Sequence, residues 1–354
     1  MAMQLRQLAL GALLLGWLTP CVVLAQTGAY TLYWDNFTNG YTVDTPGAKW
    51  NHFRYGAFVA DDAQVFPAGD STHSWLEIDA KGTGQGGSPA FTKTVAPDPI
   101  SGLPGALDHV KWLVYMNHTS SRGYAGFDAQ LNYELSCTMV TGGQTYGVSK
   151  HPFGSNVPSA TEDPRLASFA MNTIDLESNM VFDFMFTNGR IYAIYERLPF
   201  GRGTMGNYAA FTYAIPVKAY KPWLYYETTI AYDRTAGVVK WLIDGVEVFR
   251  VSRVGYRLAS RQYMLLDHGG TEQAVSMKQL NCGMGMFTML DGAALSGPGL
   301  VRLTNTPNFY FQPQVGTSQP LWFADETSQQ SSRLWGQGAA FDVEEIAVKS
   351  VKLY

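Results

Sequence analysis

The segment Phe169–Arg197 reads FAMNTIDLESNMVFDFMFTNGRIYAIYER. Asn188-Gly189 stands between two apolar, strand-like runs, and this dipeptide favours the left-handed backbone of a two-residue hairpin turn. Before the turn, alternation puts Thr173, Asp175, Glu177 and Asn179 on one strand face and Ile174 and Leu176 on the other, the expected core face. After it, Tyr192, Ile194 and Glu196 share one face while Tyr195 and Arg197 share the other. A period-two hairpin of this kind is the building unit of an antiparallel sheet.

The same pattern recurs in both directions. Ser74–Ala80 (SWLEIDA) sets Trp75, Glu77 and Asp79 against Leu76 and Ile78. Asp108–Asn117, Gly126–Val140, Ala209–Pro216, Tyr225–Tyr232, Val238–Val251 and Phe341–Leu353 also read as strands. Asp233–Gly237 and Asp244-Gly245 supply turns between neighbouring runs. Tyr256–Ser276 is the best candidate for a helix or a long loop. Lys81–Pro89 is glycine-rich but lacks the GK[ST] ending of a phosphate loop, and reads as a surface loop. Strands recur at short intervals without βα alternation, which predicts an all-β antiparallel sandwich. No repeat or linker divides the chain, so residues 26–354 are expected to form one domain.

The chain has 354 residues, with 36 Gly, 17 Pro, 15% charged and 14% aromatic residues. Low charge with many glycines and aromatics suits a large sheet protein and excludes disorder. The net charge of −4 makes nucleic acid an unsuitable partner. Residues 1–25 read as a secretory signal: Arg6, an apolar run, Pro20, and Val23-Leu24-Ala25 before the cleavage point. The expected product is secreted, periplasmic or extracellular, carries no membrane anchor after cleavage, and is monomeric. Cys137 and Cys282 remain in the mature chain; a disulfide between them and two separately buried thiols are both open readings. No Cys/His cluster has zinc spacing.

Three stretches carry a resemblance to the concanavalin-A-like lectin and glucanase group. The N-terminal series TLYWDNFTNGY, KWNHFRYG and SWLEIDA is one. Tyr226–Phe249, YETTIAYDRTAGVVKWLIDGVEVF, with its Trp-x-x-Asp-Gly, is similar to a segment of laminarinase- and lichenase-type glucanases. FDVEEIAVKSVKLY is similar to the closing strand of that fold. The resemblance implies a jelly-roll sandwich of two curved antiparallel sheets, with a carbohydrate groove on the concave sheet. In the glucanases the catalytic strand reads Glu-x-Asp-x-Glu. The nearest match here is Thr173–Glu177: Asp175 and Glu177 align with the second and third acids, and Thr173 replaces the first, which that group uses as nucleophile.

On this reading Glu177 is the general acid/base, Asp175 orients it, and Glu196 is the candidate partner carboxylate. Asp175 and Glu177 would lie ~6–7 Å apart along the strand, a spacing that both retaining and inverting glycosidases can use. Arg197 and Arg202 can fork onto a uronate carboxylate. Trp112, Tyr192 and Tyr195 can stack on sugar rings, and Asp183 and His268 complete the substrate-binding set. No cofactor or catalytic metal is expected; a structural Ca²⁺ at Asp35 and Asp342 is the one metal considered. The expected partner is a polysaccharide or oligosaccharide, and the expected activity is glycoside hydrolysis. Two alternatives are a non-catalytic carbohydrate-binding protein, and a lyase or cyclase built on Glu196, Arg197 and His268.

Overall fold

The computed structural model describes residues 27–56, 58–70, 72–80, 91, 109–295 and 297–354. The expected signal segment 1–25, the loop 81–89 and the proline-rich crossover 95–104 lie outside the described residues.

Hairpins build two sheets. Asn188-Gly189 does join Met180–Phe186 to Arg190–Arg197, but neither residue takes the expected left-handed backbone; the turn is held instead by the Asn188 side chain, which accepts the Thr145 N–H at 2.7 Å and donates to the Thr145 carbonyl at 2.6 Å. Asp244 and Gly245 both adopt positive φ, 51° and 74°, as a two-residue turn between Val238–Ile243 and Val246–Val251 demands. An eight-stranded sheet also contains Tyr30–Asp35, Ala63–Gly69, Ser74–Ala80, Tyr133–Tyr146, Tyr226–Asp233 and Gly338–Lys352. The eleven-stranded sheet has at its centre, side by side, Val110–Met116, Gln279–Phe287, Ser168–Asp175, Met180–Phe186, Arg190–Arg197, Phe211–Ala219 and Met264–Asp267. Every pairing within the two sheets is antiparallel. The chain thus forms the jelly-roll sandwich that its resemblance to the concanavalin-A-like group implied. The stretch 256–276 is a long loop carrying the short strand Met264–Asp267, not a helix.

The core lies between the sheets. Leu76, Ile78, Met139, Phe341 and Val348 from the smaller sheet meet Phe169, Met171, Phe182, Phe184 and Met284 from the larger. Phe169 stacks on Phe341 with centroids 5.1 Å apart, and Trp241 donates its indole N–H to the Asp183 carbonyl across the layers at 3.0 Å. Cys137 and Cys282 are bridged, with Cα atoms 6.1 Å apart, and the bond staples one sheet to the other.

The larger sheet buries its other face as well. Leu113, Ala170, Met185, Tyr192, Ile194, Ala214 and Leu265 form a second apolar cluster there. Phe53 and Phe58, from a segment folded back over the sheet, pack onto it. Below, this side is called the distal face.

Candidate functional site

Strand register decides which acidic residues share a face. Met171 pairs with Phe184, and Ile174 with Val181. Phe169 and Met171 point into the sandwich core, so Thr173 and Asp175, which have the same parity, do too. Thr173 is fully buried and donates its hydroxyl to the Phe182 carbonyl at 2.5 Å. The expected polar face of Thr173, Asp175, Glu177 and Asn179 is therefore corrected. Its first two members face inward, and the strand ends at Asp175.

Leu176–Asn179 is a turn, with Asn179 at φ 59°. Asp175 organises it by accepting the Glu177 N–H at 3.1 Å together with bonds from Ser178 and Gln279. Burial raises the Asp175 pKa, against the pull of those hydrogen bonds. Glu177 pairs with Arg122 at 2.8 Å and Lys278 at 3.6 Å. Partial desolvation would raise its pKa, but bonds from Gln279 and Arg122 and the two nearby cations outweigh it and hold the carboxyl below its ordinary value. Glu177 is thus an ionised partner of two cations, poorly placed to donate a proton. Among the described residues its partners are Arg122, Lys278 and Gln279, and Glu196 is not one of them.

Asp183 and Glu196 lie together on the distal face. Asp183 pairs with Ile194, and Val181 with Glu196, so the two acids are diagonal neighbours on adjacent strands, ~7–8 Å apart at the backbone. A row crosses the sheet here: Tyr115 opposite Gly283, Gly283 opposite Asn172, then Asp183 opposite Ile194. Asp183 is 2% exposed. Its carboxyl accepts the Thr173 N–H at 2.9 Å and the Asn172 side-chain amide at 3.0 Å. Burial drives its pKa well above the usual carboxylate value; the Thr173 bond opposes this and the Glu196 charge adds to it. Glu196 keeps some exposed surface and accepts the Thr212 hydroxyl on one oxygen at 2.5 Å. Desolvation raises its pKa from 4.5 to about 7, with Thr212 pulling down and Asp291 pushing up. Its second oxygen has no donor among the described residues.

Tyr115 faces the pair. Its ring lies against Gly283, where an added Cβ would come within 2.6 Å of it and 2.2 Å of the Val114 carbonyl. Burial and the charges of Asp183 and Glu196 keep the phenol protonated, and its hydroxyl has no partner among the described residues. The Asn172 side-chain oxygen is buried without a donor, beside Gly285. Together these groups offer one carboxyl that exchanges a proton near neutrality and a phenol donor.

The remaining candidates are placed elsewhere. Trp112 and Tyr195 are fully buried core residues; the Tyr195 hydroxyl donates to the Tyr256 carbonyl at 2.8 Å. Tyr192 is on the distal face but inside the apolar cluster, its hydroxyl bound to the Glu162 carbonyl. Arg197 points away from the distal face, its guanidinium 4.0 Å above the Tyr208 ring. Arg202 spends its N–H groups on the carbonyls of Tyr208, His268 and Gly269. Neither arginine shares a face with Glu196. His268, expected on an exposed loop, is buried against Phe309, bonded to its carbonyl at 2.6 Å, and desolvation lowers its pKa.

Asp35 and Asp342 do not fit a Ca²⁺. Asp35 is bound by Lys49, Trp50 and the Phe37 N–H. Asp342 accepts the Tyr225 hydroxyl at 2.6 Å, and burial raises its pKa. Among the described residues no group of three or more His, Cys, Asp or Glu could hold a metal, and no helix is long and apolar enough to cross a membrane. An open cavity of ≈ 480 Å³ lies near His73, Glu344 and Glu345. It sits away from the distal face, and no buried carboxyl lines it, so it offers none of the proton chemistry of the Glu196 site.

Sequence reasoning missed Asn172, Thr212 and Gly283. The turn Asp175-x-x-Ser178-Asn179, capped by side chains, would have ended the strand at Asp175; the facing of Asn172 follows instead from Phe169 and Met171, whose ring and thioether belong to the core.

An uncharacterized protein of Acanthamoeba polyphaga mimivirus is 31% identical over 255 residues, 57% of this chain and 56% of that protein. The chain thus spans little more than half the length of that relative. Among solved structures, the chain is similar to the kappa-carrageenase of Pseudoalteromonas carrageenovora in complex with an oligotetrasaccharide, at 12% identity and TM-score 0.38, over 94% of this chain and 99% of that one. A polysaccharide lyase family-7 alginate lyase matches at 10% identity and TM-score 0.37, over 81% and 84%. A Bacillus licheniformis beta-glucanase matches at 10% and 0.35, over 92% and 100%. Residues 34–352 match the family of unknown function DUF6081, and the chain belongs to that family.

Proposed function

We propose that this protein is a secreted, carbohydrate-active enzyme that cleaves glycosidic bonds with Glu196 as its general acid/base. The observation that carries the reading is the Glu196 carboxyl, pushed to about 7, with one oxygen held by Thr212 and the other free on the distal face. A carboxyl titrating near neutrality can give a proton to a leaving oxygen and take one from water. Burial, with the Asp291 charge adding to it, keeps Glu196 proton-bearing against the pull of the Thr212 hydroxyl. The Tyr115 hydroxyl is positioned to donate to a sugar oxygen. The resemblance of three sequence stretches to the glucanase group agrees with a glycoside substrate. The inter-sheet disulfide suits an oxidising, extracellular setting.

One observation favours a second reading. Both Asp183 oxygens are engaged, so Glu196 is the one carboxyl of the pair with a free oxygen. A β-elimination, with Glu196 taking the proton and Tyr115 giving one, needs no second carboxylate.

Wild type, Glu196→Gln and Glu177→Gln are assayed on laminarin, lichenan, alginate and kappa-carrageenan, for reducing ends and for unsaturated-uronate absorbance. Loss of acid/base catalysis predicts a drop of ~10²–10⁴-fold in Glu196→Gln, with Glu177→Gln retaining activity. Equal product from wild type and Glu196→Gln removes Glu196 from the mechanism. Product absorbing as an unsaturated uronate selects elimination.

A further inference from the structure

Two exposed aromatic rings meet above the Asp183–Glu196 site from opposite sides of the sheet. Tyr55 belongs to a short hairpin, Arg54–Tyr55 paired with Phe58–Val59. The hairpin is tied to the Leu113 strand: the Phe53 N–H donates to the Leu113 carbonyl at 2.8 Å, and the Leu113 N–H to the Ala60 carbonyl at 3.1 Å. Phe200 lies in the turn Pro199–Gly201, directly after the strand that carries Glu196. Between the Leu113 and Glu196 strands run three others, a span of ~19 Å at ordinary strand spacing. Yet the Tyr55 and Phe200 ring centroids are 6.0 Å apart. The contact therefore bridges the face that holds Tyr115, Gly283, Asn172 and Asp183.

This contact does not serve the core. Tyr55 is 55% exposed and Phe200 45%, so each ring leaves a large apolar face uncovered. Packing alone gives no reason to hold two aromatic rings together in water over a proton-exchanging carboxyl. Aromatic rings suit a ligand with one flat apolar face and a polar rim, because the apolar face stacks while the rim reaches hydrogen-bonding groups. A pyranose ring has that form: its C–H face fits Tyr55 and Phe200, and its hydroxyls fit Glu196 and Tyr115.

We infer that Tyr55 and Phe200 form an aromatic clasp that stacks a pyranose ring of the polysaccharide substrate beside Glu196, roofing the distal face at that point. The inference rests on the reading of Glu196 as the reacting group and adds the subsite that holds the chain against it. A roofed site binds a chain by threading or by its end, and releases short products.

The test separates the clasp from the catalytic reading. Binding of hexasaccharides of laminarin, lichenan, alginate and kappa-carrageenan is measured by calorimetry on Glu196→Gln, with and without Tyr55→Ala and Phe200→Ala. The expected result is at least a tenfold loss of affinity in the triple variant for the sugar that binds, and near-full recovery with Tyr55→Trp in place of Tyr55→Ala. Both positions are exposed, so thermal midpoints should match and exclude misfolding. Affinity unchanged within twofold, or no binding of any hexasaccharide by Glu196→Gln, overturns the clasp. If Glu196→Gln keeps wild-type activity while the clasp variants lose affinity, the catalytic reading falls and the clasp stands.

Discussion

Replacing Glu196 with Gln is expected to stabilise the protein above pH 7 and to leave it unchanged at pH 4. Desolvation moves this carboxyl from 4.5 to about 7 in the folded chain. Between those values the folded state keeps a proton that the unfolded chain has released. The folded state then binds more protons, so stability falls as pH rises. Below pH 4.5 both states are protonated and the cost vanishes; above pH 7 it is fully present. A pKa difference of this size corresponds to ~3 kcal/mol. Gln has the same shape, still accepts the Thr212 hydroxyl and carries no charge. Removing the Glu196 charge also relieves Asp183, which that charge pushes upward, and this adds to the gain at high pH. Urea unfolding followed by tryptophan fluorescence at pH 4, 5.5, 7 and 8 measures the difference between variant and wild type. The gain should grow from near zero to ~3 kcal/mol across that series. A gain that stays constant with pH would mean that Glu196 ionises at its ordinary value, and the proton-exchange argument would fail with it.

Gly283→Ala should cost ~1–3 kcal/mol by overpacking, because the new Cβ meets the Val114 carbonyl at 2.2 Å and the Tyr115 ring at 2.6 Å. It should also lower activity by displacing Tyr115; a thermal shift and a rate on the same sample check both. Opening the Cys137–Cys282 bridge, which spans 145 residues, should cost up to ~5 kcal/mol on a chain-entropy estimate, read by urea unfolding of the double Ser variant. Arg165→Met should cost ~3–5 kcal/mol by leaving a buried charge unpaired. Arg165 and Asp163 are both buried and share two side-chain hydrogen bonds, at 2.9 and 2.6 Å, and a matching Asp163→Asn change in the same background should recover part of the loss.

Turn dipeptides made the architecture legible. Asp244-Gly245 fixes its hairpin by left-handed backbone, Asn188-Gly189 marks a two-residue turn that the Asn188 side chain anchors to Thr145, and Leu76-x-Ile78 against Glu77-x-Asp79 fixes which face is wet. Facing was harder on the larger sheet, because both of its faces are buried. Ser168–Asp175 and Met180–Phe186 are buried along their whole lengths, so alternation of polarity carries little information there. Thr173 can sit in the core because its hydroxyl is satisfied by Phe182. Asp183 can sit on the opposite apolar face because Asn172 and Thr173 donate to its two oxygens. The parity error at Thr173 followed from this, and it carried Asp175 and Glu177 with it. Glu196 escaped the error because its parity came from the Asn188-Gly189 hairpin, whose register is set by the turn.

The Asp183–Glu196 pair also explains why this part of the sheet departs from a regular ladder. The Thr173 N–H would ordinarily bond a backbone carbonyl of the neighbouring strand. Here it bonds the Asp183 side chain instead, while the Asp183 carbonyl receives Trp241 from the other sheet. One residue thus joins the sheet ladder, the sandwich core and the distal face. Its carboxyl is expensive to bury, and the Thr173 and Asn172 donors offset only part of that cost. A domain stapled by Cys137–Cys282 and packed through Phe169 and Phe341 can sustain such a group. That reserve permits a second carboxyl, Glu196, to remain half-protonated at neutral pH one strand away.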